Sequence, residues 1–419
     1  MRRLRGFTLW SAFLLVHGLL AAVNLSNPGL SLPDVIVVYR NWVESGTVHG
    51  EWLALDAPWV YPVLALIPML ASLALGPGLQ AVVWLAIVTV LDAVALWLLL
   101  REPDQGRAHR AAWWWVAFLL LLGPIAVTRI DAITVPIALA AVLLLHRRPA
   151  IAGLLLAAGA WMKIWPAALF LAALVAMRTR WRVLAGGAVI SAVVIATGLL
   201  LGSGWNVLSF LTMQGSRGLQ IESVAAVPFL WDAMLTGKPA LYYDREMLTF
   251  QLLAPESEFA GAFLNPLLAV AVLGLLALGA AGLRRQADQT ELLAVLSLGL
   301  VLGMLVFNKV GSPQLVTWLA VPIVFGMARL PLRTVALPVM LGLPVAALTQ
   351  LVYPYLYDRL LALDPAVLVL LTLRNALYLV LLAWAVLALV RLARRDSQSF
   401  EPLVVDGVTD SVVRNQPRP

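Results

Sequence analysis

The chain has 419 residues, of which 62% are hydrophobic and only 12% charged, far more apolar than a soluble domain of this length needs for its core. It contains no cysteine, which excludes disulfide frameworks, thiolate metal sites and thiol catalysis, and its four histidines leave little for a metal centre. A net charge of +7 would suggest nucleic acid in a soluble protein, but here the arginines lie between apolar runs and read as membrane topology signals.

Phe7 to Val23, Leu79 to Leu100, Ala262 to Leu283 and Val367 to Val390 are each long enough to cross about 30 Å of hydrocarbon as helices. None alternates in polarity as a barrel strand would, so the expected fold is an all-α, polytopic membrane protein. Met1 to Arg5 followed by Phe7 to Val23 imitates a secretory signal, yet in so apolar a chain it reads as a retained first helix. Arginine groups recur at Arg2 to Arg5, Arg101 to Arg110, Arg147–Arg148, Arg178 to Arg182, Arg284–Arg285, Arg329–Arg333 and Arg391 to Arg395. The positive-inside rule places all of them in the cytoplasm. The chain must leave and return between them, which predicts about twelve crossings, cytoplasmic termini, and outer segments near residues 24–78, 129–131, 164–166, 202–260, 308–313 and 351–365. The expected location is the inner membrane of a bacterium, as a multi-pass protein.

In the first outer segment, Ser31 and Pro33 open a predicted helix over Leu32 to Glu44. Val35, Tyr39 and Trp42 share one face, suited to resting on the bilayer interface. Asp34 falls in the first turn, where a carboxylate gains from the helix dipole and can accept a proton from a hydroxyl. Asp56 stands before Trp59 to Leu75, an apolar stretch that would break the crossing parity and is read as interfacial or re-entrant. Asp92 lies deep inside a crossing and is expected to hydrogen-bond to another helix.

Further along come Arg129-Ile130-Asp131 in a tight outer turn, and then a hairpin whose arms, Ala150 to Lys163 and Pro166 to Met177, fall short of the roughly 17 residues a span needs. Such a hairpin should leave a cavity reaching down from the outer face. Its tip carries Lys163-Ile164-Trp165-Pro166. Arg217 to Ser223 lies in the long loop, and Asn308 to Gln314 joins two late helices. All three lysines (Lys163, Lys238 and Lys309) and most acids thus fall on the outer side. A cation at mid-membrane costs roughly 2.5 to 3.5 kcal/mol, so cations this close to it usually have an anionic partner, of which a lipid phosphate is one. The tail after Arg395 has the composition of a disordered segment, leaving residues 1–395 as one domain.

Taken in order, these stretches resemble the GT-C class of membrane glycosyltransferases, and more narrowly glycosyltransferase family 87, the actinobacterial mannosyltransferases that use polyprenyl-phosphate mannose. The resemblance rests on Asp34, Tyr39 and Trp42, on Trp59-Val60-Tyr61-Pro62 with valine in place of the second proline, and on Arg129 to Asp131 and Lys163 to Pro166. It continues through Arg217 to Ser223, Lys309 with Ser312-Pro313-Gln314, Thr349-Gln350 to Tyr357, and Arg374-Asn375.

That resemblance implies an inverting transfer of a hexose, mannose by family, from a polyprenyl phosphate to a glycolipid or glycan hydroxyl on the outer face. Inversion needs one base, for which Asp34 is the expected residue. Fixed cations can meet the charge growing on the leaving phosphate. Lys163, Arg129, Arg217 and Lys309 are expected there, the last two favoured because their motifs also bring Glu222 and Gln314. Asp56, Tyr61, Asp131, Glu222 and Gln314 are the expected substrate contacts, while Trp42, Trp59 and Trp165 offer faces for sugar or prenyl chain. Asp34 and Asp56 could share a metal, but without a tight ligand cluster neither metal nor cofactor is expected, and no nucleic acid partner. The competing class is a lipid or glycan transporter or flippase. Transporters usually show internal repeats and mid-membrane ionisable groups, whereas the unusual residues here crowd one face.

Overall fold

The computed structural model describes residues 2–213, 218–245 and 248–394, the first four of these as backbone only. The predicted tail and Arg217 lie outside the described residues.

Sixteen helices follow one another among the described residues. The long α1 (Arg2–Ser26) leads through an irregular loop into a π-wound turn, Asp34–Tyr39, which continues as α2 (Arg40–His49). Then come α3 (Leu66–Ser72), α4 (Gln80–Leu99), α5 (Gln105–Leu122) and α6 (Asp131–Leu144), followed by a hairpin of α7 (Pro149–Ala160) and α8 (Pro166–Ala176) and by α9 (Arg180–Leu200). The long loop carries α10 (Val227–Thr236) and an antiparallel pair of strands, β1 (Ala240–Asp244) and β2 (Thr249–Leu253), a small departure from the all-helical expectation. The chain closes with α11 (Pro255–Arg284), α12 (Gln289–Val306), α13 (Ala320–Arg329), α14 (Leu332–Gln350), α15 (Tyr357–Leu361) and α16 (Pro365–Arg394).

Among the described residues eight helical stretches are long and apolar enough to cross a membrane, which makes this a multi-pass membrane protein. The other stretches counted toward twelve crossings are the short helices α6, α7, α8 and α13. The two hairpin arms are short, as the sequence predicts, and at 12 and 11 residues each is shorter than the stretch marked for it, a shortness compensated by contact. A Cβ on Gly153 would run into the carbonyl of Val183, and one on Gly186 into that of Ala150, so this reciprocal pair lets α7 and α9 touch backbone to backbone.

The predicted first-loop helix needs correction. It begins at Asp34 and runs on to His49, and the face bearing Val35 and Tyr39 is buried in the protein instead of lying on the bilayer. Tyr39 is drawn inward because its hydroxyl finds a donor, the Ile130 backbone N–H, 3.1 Å away.

Three arginine groups meet at one end of the bundle, where Arg147 donates to the Arg101 carbonyl at 3.5 Å. The Arg329 guanidinium pairs with Glu102 and donates to the Leu143 carbonyl at 3.2 Å, and Arg107 donates to the Arg329 carbonyl at 3.0 Å. Helices α5 and α6 separate this end from Arg129 and Asp131, which therefore sit at the other. Asp92, inside α4, is buried and bonded across to α1, its Oδ2 lying 3.0 Å from His17 Nε2.

Candidate active site

Four separate segments converge at the end of the bundle opposite Arg329. Asp34 comes from the π-wound turn, Arg129 and Asp131 from the α5–α6 connection, Lys163 from the hairpin tip and Tyr61 from the stretch before α3. π-wound turns inside helices recur at functional sites, and this one turns the first-loop carboxylate toward Arg129.

Arg129 is the hub. Its Nη1 lies 3.1 Å from Asp34 Oδ1 and donates to the Ser31 carbonyl at 2.8 Å, while Nη2 donates to the Tyr353 hydroxyl at 3.3 Å. Burial works against the charged guanidinium, but Asp34 and the surrounding hydroxyls of Tyr353, Tyr39 and Tyr61 outweigh it and hold its pKa above the ordinary arginine value. The Asp34 side chain keeps 34% of its surface exposed, so this ion pair has a buried cation and an open carboxylate.

Beside it stands a second pair. Lys163 Nζ lies 3.5 Å from Asp131 Oδ2, 3.5 Å from the Tyr61 hydroxyl and 4.7 Å from the centre of its ring. The other Asp131 oxygen accepts from Trp318 Nε1 at 2.6 Å. Asp131 is fully buried, and its carboxylate lies between Lys163 and Trp318. Trp165 is likewise withdrawn, since it is fully buried, stacked on Trp318 at 5.3 Å, with its Nε1 donating to Thr134. Trp42, Trp59 and Tyr61 pack edge-to-face at 5.3 to 5.5 Å, and of these Trp42 and Tyr61 are partly exposed.

Asp56 is exposed and accepts from the backbone N–H of Trp52 at 2.7 Å, which makes it the cap of its own turn. Among the described residues no group of three or more His, Asp or Glu side chains gathers as metal ligands would.

Glu222 heads a neighbouring cluster. Its Oε1 accepts from the Tyr357 hydroxyl at 2.7 Å, and its backbone carbonyl accepts from Arg374, which also binds Asn375. Burial pushes the Glu222 carboxyl up from its ordinary range, against the hydrogen bond from Tyr357 and the charge of Arg374. The ring of Tyr357 packs edge-on to that of Tyr353 at 5.2 Å, joining this cluster to Arg129. Lys309 is buried, and its carbonyl accepts from the Gln220 N–H. The Gln220 side chain in turn accepts from Gly311 N and Ser312 Oγ, each at 3.1 Å. A Cβ on Gly311 would enter the backbone of Glu222 and Ser223, so the two loops meet there without a spacer. Gln220 thus joins the Lys309 loop to the Glu222 loop, while Gln314 is partly exposed and holds Thr317 through its carbonyl.

The hairpin leaves an apolar cavity of about 300 Å³ between α7, α8 and α9, bounded among others by Ala160, Trp161, Ile164, Phe170 and Ala188. Ile164, next to Lys163 in sequence, lies at its wall.

Residues 59–308 match the model of glycosyltransferase family 87, a stretch exceeding half the chain. The chain belongs to glycosyltransferase family 87. It is therefore a membrane glycosyltransferase, taking a sugar from a donor to an acceptor. A search of curated proteins finds none that matches it. The matched stretch includes Tyr61, Arg129, Asp131, Lys163 and Glu222, while Asp34 lies before its first residue and is brought against Arg129 by the fold.

Sequence reading passed over Tyr353, Trp318 and Gln220. Tyr353 stood within a quoted motif, and the density of tyrosines from 353 to 357 was its only local signal.

Proposed function

We propose that this transferase moves a hexose, mannose by family resemblance, from a polyprenyl phosphate to a hydroxyl of a glycolipid or glycan, at the outer face of the inner membrane and with inversion. The observation that carries the reading is the half-open ion pair of Asp34 and Arg129 standing beside the Lys163–Asp131 pair. Asp34 takes the proton of the acceptor O–H as the acceptor oxygen bonds to the anomeric carbon. The bond from that carbon to the phosphate oxygen breaks on the opposite side, and its electron pair leaves with the polyprenyl phosphate. Lys163 and Lys309, with Arg217 from the long loop, offset that charge. Asp131 and Tyr61 hold Lys163 in place.

Twelve crossings with cytoplasmic termini put the arginine-rich end inside and the site outside. The apolar cavity beside the hairpin suits the tail of a lipid-linked donor. Trp42, Tyr61 and Gln314 remain for the sugars.

The decisive experiment incubates purified protein with polyprenyl-phosphate mannose and a panel of lipid acceptors, and compares Asp34→Asn with the unaltered enzyme. Transfer to one acceptor by the unaltered enzyme, lost in the variant, is the expected result. Undiminished transfer by Asp34→Asn would remove it as the base.

A further inference from the structure

Asp34 opens the π-wound turn, and the loop leading into it is fastened from outside as well as by its own backbone bonds. Leu30 and Ser31, just before it, present two carbonyls. Arg129 Nη1 takes the Ser31 carbonyl at 2.8 Å, and the Tyr353 hydroxyl donates to the Leu30 carbonyl at 3.1 Å. The same hydroxyl accepts from Arg129 Nη2 at 3.3 Å, closing a ring of contacts around the approach to Asp34. Ser31 Oγ donates to Asn24 Oδ1 at 2.6 Å, and Asn24 Nδ2 donates to the Pro124 carbonyl at 3.2 Å, so the loop is also tied to α1 and to the turn after α5. At the far end of the π-wound turn, Tyr39 fixes the Ile130 N–H. Arg129 and Ile130 therefore grip both ends of the six residues that begin with Asp34.

Arginine suits this task because its planar fork makes several directed bonds at once. Of the bonds it makes here, one goes to the carboxylate, one to the strap that carries it at Ser31, and one to the Tyr353 hydroxyl that holds the strap at Leu30. Its residue surface is 9% exposed, much less open than the Asp34 carboxylate. With its fork committed to Asp34, the Ser31 carbonyl and the Tyr353 hydroxyl, it is better placed to orient the carboxylate than to receive an incoming phosphate.

Resting on the proposed role of Asp34 as base, we infer that Arg129 and Tyr353 are positioning residues for Asp34, clamping its loop so that the carboxylate faces the acceptor, and that Arg129 is not a ligand of the donor phosphate. Tyr353 acts only through this strap, since its hydroxyl is committed to the Leu30 carbonyl and Arg129.

Tyr353→Phe removes the hydroxyl and keeps the ring against Tyr357. Steady-state kinetics with a polyprenyl-phosphate sugar should show kcat reduced about tenfold, with KM for donor and acceptor both within about twofold and the melting temperature in detergent nearly unchanged. Arg129→Lys keeps the charge and loses the fork. It should lower kcat further at the same donor KM, and adding Tyr353→Phe to it should cost little more, because both act on one strap. A donor KM raised tenfold or more in Arg129→Lys, a kcat unchanged in Tyr353→Phe, or fully multiplicative losses in the double variant would each overturn the inference. Active Asp34→Asn enzyme would instead refute the base assignment on which it rests, so the two failures are told apart.

Discussion

The two ends of the bundle each hold an arginine paired with a carboxylate, and they use the pair differently. At one end Glu102 is 2% exposed and faces Arg329, which also holds the Leu143 carbonyl and lends its own carbonyl to Arg107. Every partner there is protein, and the pair joins the ends of α5, α6 and α13. At the other end Arg129, 10% exposed, is more enclosed than Arg329 at 17%, but Asp34 is 34% exposed. The same chemistry docks helices when the carboxylate is shut in, and prepares a site when the carboxylate is left open.

Neutralising each acid should separate the two uses. Asp34→Asn should cut transfer by about a thousandfold or more, in line with the loss of a general base, and should cost less stability than Glu102→Gln, because the carboxylate it removes is the more open of the two and Arg129 keeps the Ser31 carbonyl and the Tyr353 hydroxyl. Glu102→Gln strands the Arg329 charge and should cost roughly 3 kcal/mol of stability, with kcat of the folded fraction preserved. The contrast collapses if Glu102→Gln abolishes turnover in folded protein, or if Asp34→Asn merely melts it.

A smaller effect sharpens the division within the site. Lys163 is tethered to Asp131 but retains a partly open surface, and its ammonium has three donors to share. Lys163→Gln should raise donor KM about tenfold and leave acceptor KM within about twofold, as lost phosphate binding requires. Equal changes in both constants would assign Lys163 to scaffolding alongside Asp131.

Much of this arrangement was legible along the chain. Arginines spaced between apolar runs marked the bundle, and the interval between Arg148 and Arg178 was too short for two full spans, which gave the hairpin and put Lys163 at its tip. Asp34 was visible because an acid after Ser31 and Pro33 marks the start of a helix. What stayed hidden depends on pairing across long sequence distances. Tyr353 lies 224 positions from Arg129, and Arg374 lies 152 from Glu222. No local pattern encodes such partners. The π winding was equally unreadable, since the apolar spacing of Val35 and Tyr39 fits an ordinary helix. That spacing also misplaced the buried face, because an apolar stripe looks the same whether it meets lipid or protein. Trp165 shows the same ambiguity, having been offered to substrate when its true neighbour is Trp318.

The smallest predicted effect concerns the Glu222 cluster, which shares with Glu102 a carboxyl shut inside protein but, among the described residues, has no guanidinium paired with it. Arg374 donates to the Glu222 backbone and to Asn375 instead. Burial therefore dominates, and the native carboxyl holds its proton to a higher pH than the unfolded chain does. Between the two pKa values the native state binds more protons, so its stability must fall as pH rises. The contribution is full below the ordinary glutamate value of about 4.3 and is lost as pH climbs through the raised one. Glu222→Gln keeps an uncharged acceptor for Tyr357 and has no proton to lose. Its melting temperature should decline less than that of the unaltered protein between about pH 4.5 and neutrality. Parallel profiles would mean that Glu222 is already ionised in the folded state, which would make it a second charged acid beside Asp34 and blur the distinction between the open carboxylate and the closed ones.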